Sequence, residues 1–102
     1  MANYVFAYRG GSMAETPEAQ EASMKAWMDW FTTLGSAVVD GGAPFGPSTG
    51  VGADGATVEA SAALSGYSVI TADSLELAAK LAGGCPVLDG GGTVEVYETI
   101  AM

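Results

Sequence analysis

Histidine is absent from this sequence, and cysteine occurs once, at Cys85. Without either residue in number, the usual zinc and non-haem iron sites have no ligands, and histidine-based catalytic dyads and triads have no base. Carboxylates alone could hold a hard cation such as Mg²⁺ or Ca²⁺, yet no closely spaced Asp-x-Asp-x-Asp loop is present. The expectation is a chain with no metal site and no other cofactor. A lone Cys85 permits no intramolecular disulfide, which fits a reducing compartment. Set between Gly84 and Pro86, it reads as a small buried thiol at a helix end.

Positive charge is the next scarcity. Only Arg9, Lys25 and Lys80 oppose twelve carboxylates, for a net charge of -9. Such a balance repels phosphate backbones and anionic lipid, and three dispersed cations make no basic stripe, so nucleic-acid and membrane partners are not expected. No apolar run approaches the roughly 18 residues of a membrane span. The start, Met1 to Phe6, lacks a charged leader and an apolar stretch of signal-peptide length, so a cytoplasmic location is expected.

What the chain does have is enough for one core. At 102 residues, 49% of them hydrophobic, it should bury roughly two-thirds of the surface its unfolded form exposes, as a single domain over 1–102. Asn3 to Arg9 alternates Tyr4, Phe6 and Tyr8 against Val5 and Ala7 and stops at Gly10-Gly11, which predicts a strand with both faces covered. Thr16-Pro17-Glu18 combines a capping hydroxyl, a proline suited to the first helical position and an acid facing the positive end of the dipole. The helix so begun should run to Leu34, stop at Gly35, and bury a stripe of Trp27, Trp30, Phe31 and Leu34 flanked by Met24 and Met28.

Ala37 to Val39 predicts a short second strand ending in Asp40-Gly41-Gly42. From there to Ser65 the chain is rich in Gly, Ala, Ser and Pro, with a weak strand signal at Thr57 to Ala60. Gly66 to Ala72 predicts a strand with Tyr67, Val69 and Thr71 on one face and Ile70 on the other. Asp73-Ser74-Leu75-Glu76 has capping-box spacing for a second helix ending at Gly83-Gly84. After Gly90-Gly91-Gly92, Thr93 to Thr99 alternates Val94 and Val96 against Glu95 and Tyr97 as a last strand.

Strand, helix, strand, strand, helix, strand is the order of a ferredoxin-like βαββαβ domain, an α+β fold with both helices on one face of an antiparallel sheet. The first-strand aromatics with Tyr67, Val69 and Tyr97 would leave the other face too apolar for a bare monomer, so a homodimer is expected.

Several stretches taken in order resemble the YCII-related (DGPF-domain) proteins: Tyr4 to Arg9, Trp27 with Trp30, Val39-Asp40-Gly41-Gly42 with Pro44-Phe45-Gly46-Pro47, Gly66-Tyr67, Ala72 to Leu75, Gly84-Cys85-Pro86 and Val94-Glu95-Val96. The resemblance implies a dimeric α+β barrel in which two copies pair sheet to sheet. For some members it implies a His–Asp pair used in lyase-like or dehydrochlorinase-like chemistry. This chain has no histidine, so that dyad does not carry over. It also departs from the Asp-Gly-Pro-Phe motif, reading Gly55-Ala56-Thr57-Val58-Glu59-Ala60 where the motif is expected.

Two other motif matches are cheap. Gly50 to Gly55 fits G-x-G-x-x-G but lacks the flanking strand and helix of a dinucleotide site, and Gly46 to Gly50 fits a G-x-S-x-G elbow in which Ser48 has no histidine to activate it. Acid–base work is left to Asp40, Glu59 and Glu95 with Tyr8, Tyr67 and Tyr97, among which Asp40, Glu59 and Tyr67 are the catalytic candidates. For each alone, a surface or strand-end hydrogen bond is the simpler reading.

Two functions stay open. One is non-catalytic binding of a small polar or anionic molecule or of a protein partner; the other is a small lyase- or hydrolase-like enzyme using a carboxylate and a tyrosine. In the expected fold every glycine but Gly35 gathers on one rim of the sheet. Arg9 ends a strand there and could hold a carboxylate or phosphate, with Tyr8, Asp40, Phe45 and Tyr67 around it.

Overall fold

Tyr4, Phe6 and Tyr8 recur at every second position of Ala2–Arg9 (β1), and the pleat sends all three to the same side. A computed structural model, which describes residues 2–10, 16–60 and 64–100, places that side beneath the helices, where the three aromatics join the core. They therefore do not contribute to the open sheet face, contrary to expectation. β1 ends at Gly10, whose φ of 68° suits glycine; Gly11 lies outside the described residues.

Thr16 caps the first helix, Pro17–Leu34 (α1), by accepting the Ala19 N–H on Oγ1 at 3.1 Å, and Pro17 occupies the first turn. Gly35 ends it with φ 56° while its N–H reaches Phe31 O. Trp30 and Leu34 are buried, and Trp30 Nε1 donates to Leu81 O at 3.3 Å. Met24 and Met28 are 65% and 66% exposed, so the stripe is narrower than expected along the middle of the helix. The stretch from Ser23 to Phe31 borders a cavity rather than packed sheet.

β2 spans Val38–Pro44 and does not stop at Asp40. Its pairing with Leu64–Ala72 (β5) shifts register between Val38 and Asp40 and again between Asp40 and Ala43, so Asp40-Gly41-Gly42 is a bulge inside the strand. Asp40 Oδ1 holds the bulge by accepting the Gly42 N–H at 2.8 Å, and Gly42 takes φ 73°. Between the two strands, Gly50–Val51 (β3) and Thr57–Val58 (β4) form a small hairpin.

The second helix, Leu75–Ala82 (α2), is capped by Ser74 rather than Asp73: Ser74 Oγ accepts the Leu77 N–H at 3.1 Å. A 3₁₀ turn at Pro86–Gly90 leads into Thr93–Glu98 (β6). The main sheet has the order β2-β5-β1-β6 with every pair antiparallel, which is the ferredoxin-like α+β arrangement. Trp30 and Leu34 from α1 and Ala78 and Ala82 from α2 pack over Tyr4, Phe6, Tyr8 and Ile70 on one face, with Phe6 and Trp30 stacked at 6.1 Å.

The other face has no helix. Cross-strand neighbours lie there in rows, Val69–Val5–Tyr97 and Tyr67–Ala7–Glu95. No helix among the described residues is long and apolar enough to cross a membrane.

Candidate functional site

The bulge in β2 and the glycines around it leave room between sheet and helix. A cavity of about 460 Å³ lies there, walled on the helix side by Met24, Trp27, Met28 and Phe31 of α1. Gly41 to Pro44 of β2 and Ser65 to Ser68 of β5 form the sheet side, and Tyr8 of β1 joins them. Gly66 is required for this geometry, because a Cβ there would meet Ala43 O at 3.0 Å and Pro44 Cα at 3.3 Å. The aromatics brace one another, Tyr8 edge-on to Trp27 at 5.1 Å and Trp27 against Phe31 at 6.0 Å.

One polar chain runs through this wall. Tyr8 O–H donates to Ser68 Oγ at 2.7 Å, and Ser68 O–H donates to Gly41 O at 2.7 Å. Ser68 is fully buried with both partners in place. Burial pushes the Tyr8 phenol well above its ordinary range, outweighing the opposite pull of its bond to Ser68, so it stays protonated.

Of the residues expected at a site, the structure brings Tyr8 to the cavity wall; Tyr67 borders the cavity, but strand alternation sends its side chain to the open face with Ala7 and Glu95. Phe45 stacks on Tyr67 with ring centroids 5.8 Å apart but is not one of the lining residues. Asp40 is exposed and bonded to the Gly42 N–H, and Glu59 is exposed on a second, more open hollow beside Ser48 and Thr49. Neither carboxylate is among the lining residues of the cavity. Arg9 also falls outside it: strand alternation sends its side chain to the face opposite Tyr8, where its Nε donates to Glu95 Oε1 at 3.0 Å. Tyr97 O–H donates to the same oxygen at 3.0 Å. The expected grouping of Arg9, Asp40 and Phe45 around a rim pocket is thus not what the fold assembles.

Sequence reasoning missed Met24, Trp27, Met28, Phe31 and Ser68 as site residues. The available signal was the width of the α1 stripe, which carries more large apolar side chains than a small sheet can cover. Gly50 to Gly55 sits in the β3–β4 hairpin, where Gly52 N–H donates to Ala56 O at 2.7 Å and no helix follows, so it forms no dinucleotide loop. Cys85 is buried, and burial pushes its thiol up to about 11. Among the described residues, no group of three or more His, Cys, Asp or Glu could hold a metal ion.

Fold and cavity together define a ferredoxin-like α+β domain with an aromatic-walled cavity that no described charged side chain lines. The fold is similar to that of the 5-chloro-2-hydroxyhydroquinone dehydrochlorinase from Burkholderia phenoliruptrix, solved in complex with 2,5-dihydroxybenzoquinone. The TM-score is 0.59 at 14% identity, over 98% of this chain and 95% of the other. No family model matches the chain, and no curated protein matches it at a significant level.

Proposed function

We propose that this domain binds a small, flat, largely apolar molecule in the cavity between α1 and the β2–β5 edge, without transforming it. The observation that carries the reading is the wall itself: Trp27, Phe31, Met24 and Met28 facing the sheet around about 460 Å³, a volume in the range of small-molecule sites. Ligand class follows from the wall, so an apolar occupant replaces the anionic one expected through Arg9. The alternative, a lyase- or hydrolase-like enzyme, needs a carboxylate beside a tyrosine, and the described lining residues include none. Indole, titrated by NMR, should give saturable shifts at Trp27, Phe31 and Gly41. Linear shifts up to millimolar indole, or shifts spread over the surface, would overturn the reading.

The same proposal makes the working unit a homodimer paired through the open sheet face, in a reducing compartment such as the cytoplasm. The cross-strand row of Val69, Val5 and Tyr97 supports the first part, since it is apolar across three strands and Tyr97 is 54% exposed. The unpaired thiol of Cys85 supports the second. We further propose that the chain is a diverged YCII-related protein, on the strength of the motifs named above and the ferredoxin-like sheet order. Sedimentation at micromolar concentration should give twice the 10.2 kDa chain mass, and a monomer would remove the dimer.

A further inference from the structure

The Tyr8–Ser68–Gly41 chain has a fixed direction, and the direction is set at its far end. A backbone carbonyl only accepts, so the one Ser68 proton goes to Gly41 O, 2.7 Å away. Ser68 Oγ can then only accept from Tyr8, at 2.7 Å, which commits the one Tyr8 proton as well. Tyr8 and both of the residues that complete its hydrogen-bond chain, Ser68 and Gly41, are lining residues of the cavity. The remaining capacity of the Tyr8 oxygen is a lone pair with no proton to offer. Ser23 and Ser65, also in the wall, can turn to donate or accept and so favour neither kind of ligand.

We propose that the cavity selects aromatic molecules carrying a hydrogen-bond donor, a ring N–H or a phenolic O–H, which is received by the hydroxyl oxygen of Tyr8. This deepens the binding reading above and rests on it. A ligand with only an acceptor at that point would place two lone pairs against each other. A ligand with neither group would cut the free lone pair of the Tyr8 oxygen off from water without giving it a donor.

The test compares indole with 1-methylindole, which has the same ring system without the N–H, on the full chain by NMR titration. The wild type should bind indole about tenfold more tightly, the worth of one net hydrogen bond in a dry wall. Tyr8→Phe keeps the ring and removes the acceptor, and should bring the two affinities within about twofold. Ser68→Ala is the second variant, usable whether or not Tyr8→Phe folds. It frees the Tyr8 proton to turn toward the cavity, so the preference for indole should shrink and 4-methylanisole, an acceptor-only probe, should gain affinity. If neither indole binds the wild type at the cavity, the binding reading itself fails. If both bind there equally, or if the preference for indole survives in Tyr8→Phe or in Ser68→Ala, the cavity stands and the donor selection is overturned.

Discussion

The backbone of Gly42 lies so close to the carbonyl of Tyr67 that a Cβ at position 42 would overlap the Tyr67 oxygen. Gly42 also sits at φ 73°, where L side chains are strained. Gly42→Ala should therefore displace β2 from β5 and lower stability by about 2 kcal/mol or more, since strain and overlap add. Gly46→Ala, where an added Cβ meets nothing within 4 Å, should stay within about 0.5 kcal/mol of wild type. Urea denaturation of the two variants checks the contrast, and equal losses would remove the special role of the bulge.

Met28 is 66% exposed on α1 yet lines the cavity. Met28→Asp should cost little stability, about 0.5 kcal/mol, because the side chain has little buried area to lose. It would put a carboxylate against an apolar ligand and should reduce indole affinity by about tenfold or more. A variant that melts with the wild type and still binds indole normally would argue that the ligand sits elsewhere.

Arg9 and Glu95 form a half-exposed pair at 3.0 Å on the face away from the cavity. Arg9→Met should change stability by no more than about 1 kcal/mol, the range for such pairs. Indole affinity should not change at all. A large loss of indole binding in Arg9→Met would put Arg9 back at the ligand site, where the sequence alone suggests it.

Cys85 titrates late. Burial raises its folded-state value from 9.0 to about 11. Between those values the unfolded chain gives up the proton and the folded chain keeps it, so stability is complete below pH 9 and is lost as pH rises toward 11. Tyr8, raised in the same sense from 10.0, adds to the loss above that pH. Alkylation by iodoacetamide should follow a midpoint of about 11 in the native protein and 9 in urea. Fast alkylation of the native protein at neutral pH would contradict the burial.

Local signals were legible where one residue's chemistry decides the local backbone. Thr16 and Pro17 start α1, Gly35 stops it, and the alternation of Tyr4, Phe6 and Tyr8 gives β1, all as read from the sequence. The capping-box spacing points to Asp73, one residue early, because Asp73 and Ser74 both offer a capping oxygen and only the chain's path selects Ser74. β2 runs further than its sequence signals, because Asp40-Gly41-Gly42 has the composition of a turn while pairing with β5 makes it a bulge.

The candidate site was hardly legible. Tyr8 and Tyr67 were named for their chemistry, but Met24, Trp27, Met28 and Phe31 looked like core, since helical spacing does not say whether the stripe meets sheet or empty space. Arg9 differs from expectation for a related reason: the sequence shows its position at a strand end, but its neighbours depend on which face it shares, and it shares that face with Glu95.

By itself the sequence determined the order of the main elements, both ends of α1 and the lack of histidine, because these follow from residue type and from interactions within a few positions. Tertiary structure alone decided that Tyr8 meets Ser68 across sixty residues and that Ser68 turns to Gly41. It also decided that the bulge opens a cavity under α1. Those relationships depend on strand register, and register is fixed only when the whole sheet closes over one core, since a one-residue slip would send each of these side chains to the other face.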